Sequence, residues 1–289
     1  MARFAFSGVY LADLDEYLRG IEAAAGCGYP AITLSGYRAI RRRQPSDILT
    51  EPEARRLADA ARAAGLIIPC LESYLDLRAF SDLDAFAQIL GVARLLGVGL
   101  IRVRGDAPVL REACLRAEPH GLRLAHHLRH SAEAGSGLHV ALRLIERVNH
   151  SNFGAIWDPQ HLFFEGSDYG LASLRALGDR LFAAAHKDAA RFASPPAEPH
   201  FEFKGRFFAK RALGEGEIGF VQVFRDLRAA GFDGWHLLKR ERAPREPYDI
   251  EQVACATLAA ARRIAEQAWG DSREFAPPSE GERTSSQNT

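Results

Sequence analysis

The residues with reactive chemistry gather at the ends of short apolar runs. One run ends Trp157-Asp158-Pro159-Gln160-His161, a carboxylate followed about one helical turn later by an imidazole. Others end Ala185-His186-Lys187-Asp188, Leu238-Lys239-Arg240-Glu241 and His126-His127; Glu72 follows another, and Arg102 and Arg104 alternate on one more. Imidazole titrates near neutral pH and suits a general base. A buried ammonium is a fixed charge for an anion that develops during reaction, and a guanidinium holds a carboxylate or phosphate through two parallel hydrogen bonds. Taken together these types suit proton abstraction next to a carbonyl. His126 or His186 is the expected base, Lys239 the cation stabilising the enolate, and Asp158 the group orienting it. A Schiff base between Lys239 and a carbonyl substrate is a variant of the same chemistry. Glu72, Arg102, Arg104, His161, Lys187 and Trp235 are the expected substrate contacts. His126, Asp158 and His186 also make a two-histidine, one-carboxylate set able to hold a divalent metal. Lysine is rare here. Lys187, Lys204, Lys210 and Lys239 are the only four among 37 basic residues, so a lysine says more than an arginine.

These tips need elements to carry them. Apolar runs at 3–7, 31–35, 66–71, 99–104, 122–127, 153–158, 181–186 and 235–239 read as strands. Amphipathic stretches at 14–25, 52–65, 81–97, 109–117, 137–148, 171–177, 220–230 and 250–269 read as helices between and after them. Eight strands alternating with helices predict a (β/α)8 barrel, with the site at the C-terminal ends of the strands. No glycine fingerprint follows the first strand, which argues against a doubly wound sheet and a nucleotide cofactor. Side chains alternate along a strand. Gly154, Ile156 and Asp158 therefore share a face, as do Trp235, Leu237 and Lys239, and Leu122, Leu124 and His126. Glu72 is in phase with Leu66, Ile68 and Cys70. His127, in the opposite phase, is expected against a helix. His186 and Lys187 cannot both face inward, and the sequence does not choose between them. Ordinary roles compete: Glu72 as ion-pair partner of Arg102 or Arg104, and Asp188 as a cap.

The stretch Phe153-Gly154-Ala155-Ile156-Trp157-Asp158-Pro159-Gln160-His161 resembles the strand-six motif of the sugar phosphate isomerase/epimerase superfamily, the xylose-isomerase-like barrels. Ala212-Leu213-Gly214-Glu215-Gly216-Glu217-Ile218, followed by Gly231-Phe232-Asp233-Gly234-Trp235, resembles that group's approach to strand eight, and His186-Lys187-Asp188 its strand-seven ending. The resemblance covers roughly residues 3–265. It implies isomerisation, epimerisation or elimination on a small sugar- or cyclitol-like substrate. It also implies one divalent metal (Mn, Zn or Mg), held by Glu, Asp, His and Glu on strands five to eight. Asp158 and His161 match the strand-six residues. His186 stands at the strand-seven position one residue short of the group's His-x-Lys-Asp spacing. His126 stands at the strand-five glutamate position and Lys239 at the strand-eight one. A lysine about 4–5 Å from a dication costs roughly 6–8 kcal/mol of repulsion at an effective dielectric near 20. Lys239 is therefore expected to replace the metal and pair with Asp158. The other reading is a catalytically lapsed barrel serving as a ligand-binding or non-catalytic subunit.

The 37 basic residues equal the 37 acidic ones. That balance argues against a non-specific nucleic-acid binder, an endonuclease-IV-like repair enzyme included, and against a polybasic membrane anchor. No run reaches the length of a membrane span, and the start of the chain lacks the pattern of a secretory signal. Cys27, Cys70, Cys114 and Cys255 lack metal-site spacing and read as thiols of a cytoplasmic protein. The barrel is expected over 1–269, with an insertion at 190–212 acting as a lid or partner-binding loop. A polar, disordered tail is expected over 270–289. Dimers or tetramers are implied by the resemblance alone.

Overall fold

The computed structural model describes residues 2–11, 13–38, 44–130, 137–241 and 248–270. Seven barrel strands come first: β1 (Arg3–Ser7), β2 (Ala31–Thr33), β3 (Cys70–Leu77), β4 (Leu100–Gly105), β5 (Arg123–His127), β6 (Phe153–Trp157) and β7 (Leu181–His186). Three strands of an insertion follow, β8 (Asp188–Phe192), β9 (Phe201–Phe203) and β10 (Arg206–Arg211), and β11 (Trp235–Leu238) is the eighth barrel strand. The parallel sheet runs β2-β1-β11-β7-β6-β5-β4-β3. It closes into the (β/α)8 barrel through bridges from Ala31 to Ile67 and from Leu34 to Leu71.

Helices α1 (Leu14–Gly26), α2 (Glu51–Ala63), α3 (Leu83–Leu96), α4 (Ala107–Ala117), α5 (Gly137–Val148), α6 (Pro159–Glu165), α7 (Leu171–Leu177), α8 (Phe220–Ala229) and α9 (Ile250–Trp269) surround it. Their starts follow local chemistry. Asp13 and Asp249 each accept a backbone N–H of the first turn of α1 and α9, and Thr50 with Glu53 forms a capping box ahead of Pro52 in α2.

The third strand starts later than residue 66. Pro69 has no N–H to give a ladder, so residues 66–69 contribute only a bridge, and pairing with β4 begins at Cys70. The register then shifts between Leu71 and Leu75. Tyr74, inside that irregularity, has φ +55, a left-handed conformation that costs an aromatic residue energy.

Both faces of the sheet are apolar, as expected when helices cover a parallel sheet. They differ in side-chain size. The narrow interior takes Ala5, Ala31, Cys70, Leu100, Ala125, Ile156, Ala183, Ala185 and Leu237, while Phe6, Leu124, Phe153 and Trp157 face the helix layer. Two residues further along each strand, alternation returns to the interior at the barrel's C-terminal mouth. The residues there are Ser7, Thr33, Glu72, Arg102, His127, Asp158, Lys187 and Lys239, and all eight are buried.

The insertion is a small antiparallel sheet in the order β8-β10-β9. Lys204 and Gly205 both have positive φ between β9 and β10, as a two-residue hairpin turn requires. Phe201 and Phe208 pack on Phe164 of α6, with centroids 4.8 and 4.9 Å apart, so the sheet is seated beside the mouth. Asp188 fastens its base, accepting N–H bonds from Ala189, Gly214, Gly216 and Ile218. The glycine pattern at 214–216 thus serves this clamp. A Cβ on Gly216 would collide with the Asp188 carboxylate.

One cysteine reading is corrected. Cys27, just after α1, and Cys255 in α9 form a disulfide with Cα atoms 5.0 Å apart, whereas Cys70 and Cys114 are buried thiols. Spacing gave no hint of this pair, because the closing barrel brings together residues 228 positions apart. No helix among the described residues is long and apolar enough to cross a membrane. The tail beyond residue 270 lies outside the described residues.

Candidate functional site

Two charged groups fill the mouth. The first surrounds Glu72, which is fully buried. Ser7 and Thr33, from β1 and β2, donate their hydroxyls to its Oε1 at 2.7 and 2.8 Å. Lys239, next after β11, forms a close ion pair with Oε2. Arg102 of β4 places Nη1 3.8 Å from the same oxygen, an ion pair too long for a hydrogen bond. Burial works against the Glu72 anion, but Lys239 and then Arg102 hold its pKa below the ordinary value. The ring of Tyr74 covers the Arg102 guanidinium at 3.7 Å.

The second group surrounds Asp158, at the end of β6. Its Oδ1 accepts from the Gln160 N–H and so caps α6. Its Oδ2 lies 2.8 Å from His127 Nε2, 2.9 Å from Lys187 Nζ and 3.7 Å from His161 Nε2. Lys187 also lies 3.1 Å from His161 Nε2 and 3.4 Å from Glu241. Glu241 in turn pairs with Lys210 at 2.5 Å and accepts from the Tyr10 hydroxyl at 2.8 Å. Burial disfavours the Lys187 ammonium, yet Asp158 and then Glu241 raise its pKa above the usual lysine value. Burial likewise opposes the Asp158 and Glu241 anions. Lys187 lowers both, with His161 adding to it at Asp158, and Lys187 with Lys210 brings Glu241 to about 2. For the histidines the balance goes the other way. Burial, then Arg102 and Lys239, pushes His127 well below its ordinary value, and burial with Lys187 does the same to His161. Both imidazoles are neutral near pH 7. His127 therefore donates Nε2–H to Asp158, and its buried Nδ1 has no hydrogen-bond partner.

The structure brings some of the residues singled out in the sequence together and separates others. Glu72, Arg102, Asp158, His161, Lys187 and Lys239 do converge at the mouth. The phase of β5 is the reverse of that expected: Ala125 and His127 face inward, and His126 takes the opposite face, lowered to about 4 by burial and then Arg102. His186 also points outward. It stacks on His236 with Nε2 2.9 Å from Nδ1 and packs against Phe224 of α8, leaving Lys187 as the inward residue. Lys239 pairs with Glu72, and it is Lys187 that pairs with Asp158. Arg104 is half-exposed and bonded to Asp76 at 3.0 Å. Trp235 lies at the opposite end of the barrel, under the guanidinium of Arg3. Neither reaches the mouth ring. Tyr10, Tyr74, His130 and Glu241 are additions. His130 sits with Nδ1 2.7 Å from His161 Nδ1 among Phe164, Phe201 and Phe203, a tertiary arrangement that no local pattern announces.

The metal set 126–158–186 cannot form, since two of its members point outward. His127, Asp158 and His161 do bring ligand atoms within 4.8 Å of one another. The Lys187 ammonium, however, stands between Asp158 and His161 at hydrogen-bond distance from both. A divalent ion needs anionic ligands and unprotonated donors. One carboxylate, already neutralised by an ammonium, does not fit that requirement.

Residues 21–256 match the family described as the xylose isomerase-like TIM barrel. No curated protein matches. Among solved structures the chain is similar to a fusion of a xylose isomerase-like TIM barrel with 4-hydroxyphenylpyruvate dioxygenase (18% identity, TM-score 0.70); there it covers 92% of this chain but 43% of that one. It is also similar to the IolI protein with a bound zinc atom (16%, TM-score 0.70, 93% and 100% covered) and to L-ribulose 3-epimerase (17%, TM-score 0.69, 97% and 100% covered). At these identities the likeness is one of fold. With the family match spanning most of its length, the chain belongs to the xylose isomerase-like TIM barrel family.

Proposed function

We propose that this chain is an isomerase- or epimerase-type enzyme that moves a proton next to a carbonyl on a small sugar-like substrate, with ammonium groups in place of a metal. The observation that carries the reading is the His127–Asp158–Lys187 arrangement. Asp158 fixes the His127 tautomer by accepting Nε2–H, while the opposite nitrogen stays unprotonated and unbonded in a buried site. An oriented neutral imidazole is a general base, and the carboxylate stabilises the imidazolium that forms. His127 Nδ1 takes the C–H proton, and its electron pair passes to the carbonyl oxygen as an enolate. Lys239 and Arg102 supply positive charge on the adjoining side of the mouth. Isomerisation is completed when the hydroxyl proton of the reacting carbon passes to the enolate oxygen and His127 returns its proton to the former carbonyl carbon. In epimerisation the opposite face of the reacting carbon takes a proton from water and His127 releases its own to water.

The geometry disfavours a Schiff base. Lys239 is locked to Glu72, and Lys187 is held as an ammonium between two carboxylates, so neither offers a free amine.

The likeness to L-ribulose 3-epimerase suggests ketoses as the first substrates to try. The test is proton NMR in D2O of a panel of ketopentoses, ketohexoses and keto sugar acids. Expected is exchange of a carbon-bound proton beside the carbonyl, abolished in a folded His127→Asn variant. No exchange with any panel member, or exchange that survives His127→Asn, refutes the assignment. The first of these outcomes favours a ligand-binding barrel.

A further inference from the structure

The two groups at the mouth differ in net charge. Around Asp158, two carboxylates (Asp158 and Glu241) face two ammoniums (Lys187 and Lys210), and the histidines are neutral, so the group sums to zero. Around Glu72, one carboxylate faces both Lys239 and Arg102, so among the described residues that side carries one uncompensated positive charge in a buried setting. Glu72 does not relieve it, because Arg102 Nη1 lies 3.8 Å from its Oε2, beyond hydrogen-bond reach. One oxygen serves Ser7 and Thr33 and the other serves Lys239, while Arg102 Nη1 is buried without any hydrogen-bond partner. An unpaired buried guanidinium N–H beside an unneutralised charge is costly unless a ligand completes it.

We propose that the substrate is a small carboxylate whose carboxyl group docks edge-on against Arg102, between Tyr74 and the Lys239–Glu72 pair. This rests on the reading of the mouth as a proton-transfer site and names the class of molecule that enters it. Tyr74 selects the edge. Its strained backbone holds the ring over one face of the guanidinium, leaving the buried in-plane Nη1 as the donor without a partner. The Tyr74 hydroxyl records the same excess of positive charge, since Arg102 and then Lys239 outweigh burial and lower its pKa. A phosphate suits the mouth less well. Its second charge exceeds the one available, and the start of α6 is already capped by Asp158. On this reading the carboxylate anchors the molecule at β4, and its reacting carbon reaches His127 on the neighbouring strand β5.

The experiment is calorimetric titration of the wild-type protein with pyruvate and lactate against their neutral isosteres pyruvamide and lactamide, with inorganic phosphate alongside. The acids should bind at least about tenfold more tightly than the amides (about 1.4 kcal/mol), and phosphate no more tightly than the acids. Arg102→Met should reduce the discrimination below about twofold, and Tyr74→Leu should weaken acid binding while leaving the guanidinium in place. Equal binding of acid and amide, tighter binding of phosphate, or no acid binding at tens of millimolar overturns the proposal, and the wild-type comparison decides even if Arg102→Met does not fold. His127→Asn should keep the preference for acids. A failure of the proton-transfer reading would therefore show as lost NMR exchange with acid binding intact, distinct from a failure here.

Discussion

Replacing Lys187 with methionine should turn a site that excludes divalent metal into one that accepts it. Lys187 Nζ lies 2.9 Å from Asp158 Oδ2 and 3.1 Å from His161 Nε2. Those two atoms are 3.7 Å apart, so zinc bonded to both at about 2.0–2.2 Å would lie no more than about 3.5 Å from the ammonium. At an effective dielectric near 20 the repulsion is at least about 9 kcal/mol. Zinc sites built into small domains gain about 10–16 kcal/mol, so the ammonium cancels most of what the ion could contribute. Since each 1.4 kcal/mol is about tenfold, wild-type affinity should lie about five or more orders of magnitude below a competent site. Lys187→Met leaves His127, Asp158 and His161 in place with Glu241 nearby. It also removes the partner of a fully buried carboxylate, which should cost about 3–5 kcal/mol without metal. The assay is urea unfolding of both proteins with and without zinc, paired with calorimetric titration. The variant should be less stable, recover with zinc and bind one equivalent, and the wild type should respond to zinc hardly at all. A wild type that retains stoichiometric zinc, or a folded variant that binds no better, refutes the reasoning.

Three further outcomes follow from the packing. His236 is buried neutral and lowered to about 3 by burial and then Arg3, with His186 stacked on it and lowered as well. The unfolded chain protonates these imidazoles first, so stability should be complete above pH 6.5 and fall as pH drops from there towards 3. His236 alone accounts for about 3 kcal/mol of loss by pH 4.5, and a urea midpoint flat across that range would contradict the burial of the pair. Reducing the Cys27–Cys255 disulfide, which closes a separation of 228 residues between the first and last helices, should cost about 2–5 kcal/mol. Thermal melts with and without reductant, and of Cys27→Ser, measure it; unchanged melting would mean that the bond does not constrain the unfolded chain. Gly216→Ala should lose about 2–3 kcal/mol by breaking the Asp188 clamp, whereas Gly219→Ala, with open space around its Cβ, should melt near the wild type. Equal melting of the two would assign the clamp no weight.

The barrel was legible because strand and helix periods differ and the turns between them are well marked. The phase of each strand was less so. In a parallel barrel both faces are apolar, so hydrophobicity alone does not say which side is the interior. Size does so on β1, β2 and β5, where Ala5, Ala31 and Ala125 line the narrow inside and Phe6, Ile32 and Leu124 face the helices, but not on β6, where Ile156 is inside and Ala155 outside. Counting from Leu122 and Leu124 as if large residues pointed inward put His126 at the mouth; counting from Ala125 puts His127 there. On β7 the run Ala183-Ala184-Ala185 carries no size contrast, and the choice between His186 and Lys187 was settled only by packing against α8. On β11 large Leu237 faces inward, and Lys239, in phase with it, reaches the mouth but pairs with Glu72 and not with Asp158. Tyr74 was hidden for another reason. Its position depends on the register shift between Leu71 and Leu75, which is a tertiary fact.

The scarcity of lysine acquires a physical meaning at the mouth. Of the four lysines, Lys187, Lys210 and Lys239 make ion pairs with Asp158, Glu241 and Glu72, while Lys204 lies over Phe203 in the hairpin turn. Elsewhere the chain meets its need for positive charge with arginine. A guanidinium is broad and flat and spreads its charge over a fork of donors, which suits a carboxylate's edge, as at Arg102. An ammonium is a compact point charge on a thin stem. Only the latter can be threaded between Asp158 and His161 and lie within hydrogen-bond distance of both. A chain that otherwise favours arginine thus uses lysine where a compact cation must fit among the acidic residues of a narrow barrel. The geometry that sets a cation between Asp158 and His161 also demands the smaller of the two basic side chains there, and Arg102, the arginine of the eight-residue mouth ring, keeps a buried donor without a partner.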